Sequence, residues 1–294
     1  MKLHFLISIS SESEKLFGVR FLRSFFKTDN LCDITLFHVN TTDLKSQACS
    51  LMAMWESPGT DNTAPLTVAA KKAIARAKLL LQSGDIGVDS LKTKTITERH
   101  GKVGDILLEG ANNMYDAMIL GRRTTYALQW MFERAADEIA QALIRNAALS
   151  SPIWICCDPE EGRRHVLLCV DGSRSSLRMA DHVGYILSFI PVHNVTLLHV
   201  KGPLSSDSEP IFRESESILA GHHIGPERIT QKTVTGLSVI NTICREETTG
   251  EYAAVAVGLS RQPDKSITLG SWKVGKTTTA LLSKISRASL WCCP

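Results

Sequence analysis

Residues 270–277 read Gly-Ser-Trp-Lys-Val-Gly-Lys-Thr, the G-x-x-x-x-G-K-T spacing of a phosphate-gripping loop. Such a loop works when it follows directly on a buried strand and opens a helix, so that backbone N–H groups and the lysine converge on a phosphate. Here the preceding apolar segment, Tyr252–Gly258, ends well before Gly270, and Pro263 and Asp264 lie between. Too little chain follows Thr277 for the further strands and second acid of that nucleotide fold, so the P-loop reading is set aside. Gly270 and Ser271 still suit an anion: they are expected to precede a helix start, with a small backbone and a hydroxyl donor. On this reading Lys276 and Thr277 lie a turn or more into that helix and face solvent. Asp171, in Val-Asp-Gly-Ser, is the other suggestive group, a carboxylate beside a turn. Its simplest use is to cap that turn, which needs no ligand.

Other chemistry finds little support. H-E-x-x-H, G-x-S-x-G and Cys/His metal spacings are missing from the sequence. His222 and His223 are adjacent and would point apart on a helix. His38 and His199 fall inside apolar runs and read as satisfied core or rim residues, and Glu214 and Glu216 as solvated helix positions. The eight cysteines, including the adjacent pairs Cys156-Cys157 and Cys292-Cys293, form no C-x-x-C and read as reduced, buried thiols. No catalytic residue and no metal site is expected.

The elements that position these residues repeat. Asp33–Val39 (DITLFHV) matches Asn194–Val200 (NVTLLHV), and His4–Ile9 (HFLISI) matches His165–Val170 (HVLLCV), both 161 positions apart. Tyr115–Gly121 (YDAMILG) matches Tyr252–Gly258 (YAAVAVG), and Pro152–Cys157 (PIWICC) resembles Ser289–Cys293 (SLWCC), both 137 apart, with Trp154 against Trp291. Residues 43–65 read as an insertion in the first copy. The boundary falls in Cys157–Arg164, where proline and charge break the pattern, so the expected domains are 1–158 and 163–294. Short continuous apolar runs alternate with helical periodicity, as in Ser175–Ile190, where Leu177, Ala180, Val183, Ile186 and Leu187 share one side. Helices are also expected over Glu209–Gly221, over 136–147 and before the last strand. The fold class is therefore α/β: two tandem doubly wound domains, each an open five-stranded parallel sheet with helices on both faces. Ligands of such sheets sit beyond the carboxyl ends of strands, where strand order reverses.

The net charge of +3 argues against a nucleic-acid footprint, and no apolar run approaches the roughly 20 residues of a membrane helix. The amino terminus lacks the pattern of a signal peptide. A cytoplasmic protein is expected, with neither nucleic acid nor membrane as partner.

The order of strand-DGS, HV-ending strand, strand ending in glycine, loop, Gly-Ser, helix and short strand resembles the universal stress protein family, in a tandem form. The resemblance implies a stress-response regulator that binds an adenine nucleotide, ATP or AMP, with Mg as an accompanying ion and no dedicated catalysis. The family motif G-x2-G-x9-G-[S/T] is approximated by Gly258, Arg261 and Gly270-Ser271, with Arg261 in place of the middle glycine and a loop one residue short. By the same resemblance Val170 and Asp171 hold the adenosine part, backbone at Val200 holds adenine, and Val257 and Trp272 flank the glycine segments. In the first copy Ser10 replaces Asp171, and Glu133-Arg134 replace Gly270-Ser271, with Arg122-Arg123 nearby. That site reads as degenerate, since a glutamate there repels phosphate. The family's dimers pair their last strands. The resemblance therefore implies an intramolecular pseudo-dimer joined by PIWICC and SLWCC, with a homodimer as a further level. Such a seam would bring the cysteine pairs together, which raises a thiol switch beside the simpler packing of Trp154 on Trp291. The alternatives are a nucleotide-free scaffold acting through its dimer surfaces, or a slow ATP hydrolase.

Overall fold

The computed structural model describes residues 2–26, 31–40, 65–83, 90–122, 151–202, 207–259, 261–263, 272–274 and 276–294. The main strands are β1 (Leu3–Ser8), β2 (Cys32–Asn40), β3 (Leu91–Thr97), β4 (Ala117–Gly121) and β5 (Ile153–Cys156), then β6 (His165–Cys169), β7 (Val195–Lys201), β8 (Ile229–Thr235), β9 (Tyr252–Gly258) and, closing the chain, β12 (Ser289–Cys293). A short ribbon, β10 (Arg261–Pro263) and β11 (Trp272–Val274), precedes the last helix. The described helices are α1 (Phe17–Phe25), α2 (Val68–Gln82), α3 (Lys102–Asn112), α4 (Arg174–Ser188), α5 (Glu209–Gly221), α6 (Val239–Thr249) and α7 (Lys276–Lys284). The helical segment expected over 136–147, and the insertion at 43–65 apart from Pro65, lie outside the described residues.

Helix starts follow local chemistry. Thr67, Ser173 and Ser238 each accept a hydrogen bond from the backbone N–H three residues on, and Pro210 sits in the first turn of α5. The inner strands are largely apolar and buried on both faces, whereas the edge strands β3 and β8 are rich in Lys and Thr and are exposed or half-buried.

All ten main strands form one sheet in the order β3-β2-β1-β4-β5-β12-β9-β6-β7-β8. The second half repeats the topology of the first, and every pairing within a half is parallel. The single antiparallel junction is β5 against β12, in the register Leu290↔Ile155, Trp291↔Trp154, Cys292↔Ile153. One apolar layer, against α1, α2, α4 and α5, and a second, against α3, α6 and α7, each run unbroken across this seam. The pseudo-dimer is thus a continuous ten-stranded sheet.

The two indoles stack at the seam, with centroids 3.9 Å apart and planes 4° from parallel. Their surroundings are not symmetric. Trp154 Nε1–H donates to His182 Nε2 at 3.0 Å, whereas Trp291 Nε1 is buried without a hydrogen-bond partner among the described residues. By the 161-residue offset the counterpart of His182 is Phe21, which meets Trp291 edge-on at 6.3 Å. His193 adds a bond between the halves, donating from Nε2 to the Phe25 carbonyl at 2.8 Å and stacking on that ring. The segment between the halves is tied to both, by Arg20 to Asp158 and by Arg287 to Glu160.

The register corrects the thiol-switch expectation. Pairing Trp154 with Trp291 sets Cys156 against Ser289 and Cys292 against Ile153, so the two cysteine pairs lie at opposite ends of the junction. Three residues of offset amount to roughly 10 Å along a strand, beyond the roughly 7 Å over which Cα atoms can be bridged. Burial pushes the Cys156 thiol above its usual range, and pushes Cys292 up to about 12, so neither is a thiolate near neutrality.

Candidate functional site

The carboxyl ends of β6, β7 and β9 meet where strand order reverses in the second half. β6 runs into Val170, which is buried, and the chain then turns through Asp171-Gly172-Ser173. Gly172 takes φ 76°, a conformation that side chains disfavour, which explains the glycine of D-G-S. Asp171 Oδ1 accepts from Ser173 N–H at 2.9 Å, and Ser173 Oγ caps α4 by accepting from Ser176 N–H at 3.2 Å. Partial desolvation alone would raise the Asp171 carboxyl. The hydrogen bonds from Ser173 and Ser176, aided by His199, outweigh it and hold the group below its usual range. Asp171 is thus an exposed, ionised carboxylate at the strand tip.

His199 on β7 is buried and donates from Nδ1 to the Val170 carbonyl at 2.8 Å, locking the two strand ends together. Leu198 O accepts from Val170 N–H. Alternation along a parallel strand therefore turns the Val200 N–H and C=O toward the same side, past the tip of β6 and beside Asp171.

At the end of β9, Val257 is buried and Gly258 meets the first turn of α4. A Cβ at position 258 would lie 2.3 Å from the Ser175 carbonyl carbon and 2.6 Å from Ser176 N. Helix packing therefore requires this glycine whatever else it does. Beyond it Arg261 pairs with Val274 and Pro263 with Trp272 in the β10–β11 ribbon. Gly270 and Ser271 lie outside the described residues. The helix expected just after them begins instead at Lys276, with β11 intervening. Lys276 and Thr277 therefore open α7 rather than sitting a turn inside it. A strand also occupies positions that a P-loop would use to wrap a phosphate.

The first half repeats this construction with other side chains. Ser10 Oγ accepts from Glu12 N–H at 3.3 Å, the same turn that Asp171 makes, and His38 Nδ1–H donates to the Ile9 carbonyl at 2.7 Å. The turn therefore needs an oxygen acceptor but not a charge. α1 starts later than α4 and has no side-chain cap. Among the described residues, a Cβ on Gly121 would meet only Lys15 O, at 3.8 Å. The result is a shallow, open crevice lined by Ser8, Ser10, Lys15, Gly18 and Gly121 among others. Nothing in the composition of these residues announced it; it follows from the late start of α1. Arg123, Glu133 and Arg134 lie outside the described residues.

A universal stress protein from Archaeoglobus fulgidus DSM 4304 aligns with 99% of this chain and 95% of its own at a TM-score of 0.59 and 13% identity. The chain has a universal-stress-type fold. The cytoplasmic domain of a prokaryotic cation chloride cotransporter shares it, at a TM-score of 0.52 and 11% identity over 99% of this chain and 95% of that one. A universal stress protein in complex with cAMP aligns with 46% of this chain and 99% of its own at 18% identity, with a TM-score of 0.34. No protein-family model matches the sequence, and no curated protein does. At 13% and 11% identity, the first two likenesses show the architecture alone.

Within this universal-stress-type fold, several other described polar groups have structural partners. His222 bonds to Asp181 at 2.7 Å, and His223 takes φ 62° after the end of α5, so the adjacent pair does not converge. Glu247 is buried on α6 and accepts from the backbone N–H groups of Arg287 and Ala288, pinning the turn into β12. Among the described residues, no group of three or more His, Cys, Asp or Glu is placed to hold a metal ion. Among the same residues, no helix is long and apolar enough to cross a membrane.

Proposed function

We propose that this chain is a tandem member of the universal stress protein family, with domains 1–158 and 163–294, acting in the cytoplasm as a stress-response regulator without dedicated catalysis. Its second domain takes the adenosine part of ATP or AMP, with Mg as an accompanying ion where phosphates are present. The observation that carries this reading is the exposed, ionised Asp171 carboxylate at the strand-order reversal, next to the backbone edge of Val200. The arrangement fits a ribose hydroxyl on the carboxylate and an adenine edge on Val200, with Val170 and Val257 as apolar neighbours. Arg261, Gly270, Ser271 and Trp272 are assigned to the phosphate side by their place in the motif. The two domains pair within the chain, and a homodimer of chains is a further level of the same proposal.

A second reading is a nucleotide-free scaffold that works through its surfaces. The first turn of α4, filling the space over Gly258, favours it, because phosphate has no close approach to that backbone. Calorimetric titration with ATP and AMP, with and without Mg, separates the two. Nucleotide heat that is lost in Asp171→Ala and kept in Ser10→Ala supports the first reading. Heat lost instead in Ser10→Ala would move the site to the first-half crevice. No heat and no thermal shift at millimolar nucleotide would leave the scaffold.

A further inference from the structure

Helix α2, Val68–Gln82, carries two apolar stripes. One, made of Ala70, Ala73, Ile74, Ala77 and Leu81, is buried against the core. The other faces outward. Val68 is 84% exposed and Leu79 67% exposed, and with Ala75 between them they line up along the helix, two and three turns from the first. At 3.6 residues per turn, Lys71 and Lys78 fall on one side of this outward line, and Lys72 and Arg76 on the other. The helix holds no acidic residue, and none of the four cations has a salt-bridge partner among the described residues. Soluble helices hide one apolar stripe and solvate the rest. A second stripe bordered on both sides by unpaired cations suits an apolar surface rimmed by negative charge.

We propose that the outer face of α2 docks this protein on an anionic lipid bilayer, lying parallel to the surface. Val68 and Leu79 enter the headgroup boundary, and the cations on either side meet lipid phosphates and carboxylates. Charge complementarity alone would admit any polyanion. The exposed apolar line is what selects lipid, since a nucleic acid or an acidic coil gains nothing from it. The contact is peripheral and salt-dependent, because a single helix face with two large apolar side chains holds a protein reversibly. It revises the expectation that this chain has no membrane partner, and it is independent of whether nucleotide binds.

Co-sedimentation with phosphatidylcholine vesicles, with and without phosphatidylserine, tests the proposal on the full chain. Wild type pellets with the anionic vesicles only, and less as salt rises. K71Q/K72Q/R76Q weakens partitioning by about a hundredfold, from the contribution of each basic side chain near an anionic surface. V68S/L79S weakens it by about tenfold at unchanged charge. K71R/K72R/R76K binds as wild type. All these positions are solvent-facing, and circular dichroism with thermal melting checks that each variant is folded. Failure to pellet, or equal pelleting of K71Q/K72Q/R76Q, overturns the proposal. So does equally tight binding of polyglutamate or duplex DNA that V68S/L79S leaves unchanged, which would make the face a site for soluble polyanions.

Discussion

Acidification should loosen the seam through His182. The ring is buried on α4, and its Nε2 accepts from Trp154 Nε1–H, so the neutral form carries its proton on Nδ1. A second proton would abolish that acceptor and place a charge against two stacked indoles. Burial accordingly pushes His182 down from 6.5 to about 4, with the Asp181 carboxylate pulling weakly the other way. The unfolded chain takes up the proton near 6.5 and the folded one near 4, so between these values the unfolded state binds more protons. Stability is therefore fully present above the unfolded value and drains away as pH falls toward the folded one. At a pH half a unit above the folded value, linkage gives a loss of about 2.5 kcal/mol. His193, also depressed mainly by burial, adds in the same direction. Urea unfolding followed by circular dichroism from neutral pH down to this point measures the loss. His182→Gln keeps an acceptor for Trp154 but cannot titrate, so its stability should change far less over the same span. Parallel curves for wild type and His182→Gln would refute the argument and assign the acid response to other groups.

Four further outcomes are expected. Gly258→Ala should cost about 1–3 kcal/mol of unfolding free energy, because its Cβ meets backbone of α4; Gly121→Ala, with its nearest neighbour at 3.8 Å, should cost much less, and denaturant titration compares them. Trp154→Phe should destabilise more than Trp291→Phe by about 1 kcal/mol, since the first strands the His182 acceptor and the second removes a donor that already lacks a partner; equal losses would contradict this. Glu247→Ala should cost about 2–4 kcal/mol by leaving the Arg287 and Ala288 N–H groups unpaired, seen as a fall in thermal midpoint. Diamide treatment of native protein followed by peptide mapping should find no disulfide joining Cys156 or Cys157 to Cys292 or Cys293; one found in good yield would overturn the register at the seam.

The repeated apolar segments carried most of the architecture. DITLFHV and NVTLLHV became β2 and β7, with His38 and His199 in matching bonds, because an internal repeat constrains both copies to one packing. PIWICC and SLWCC became the joined strands β5 and β12, and the helix over Glu209–Gly221 lies where its periodicity placed it. The misses were of another kind. The antiparallel direction of the β5–β12 pair is what parts the cysteines, and direction leaves no mark in a short apolar run. The β10–β11 ribbon involves only three residues on each side, too few for a period to register. His182 fell within a recognised helix, but its role depends on an indole brought up from the other half of the chain. In the candidate site, D-G-S was legible as a turn because glycine and serine each answer a local backbone need. The crowding over Gly258 was not, since it depends on where α4 begins relative to a strand far along the chain.

Two separate but identical subunits meeting across such a junction would be obliged to set the same residue against each indole. A single polypeptide is released from that obligation. Its imidazole serves one tryptophan while a phenyl ring faces the other, so each flank can be tuned, or titrated, without altering its twin.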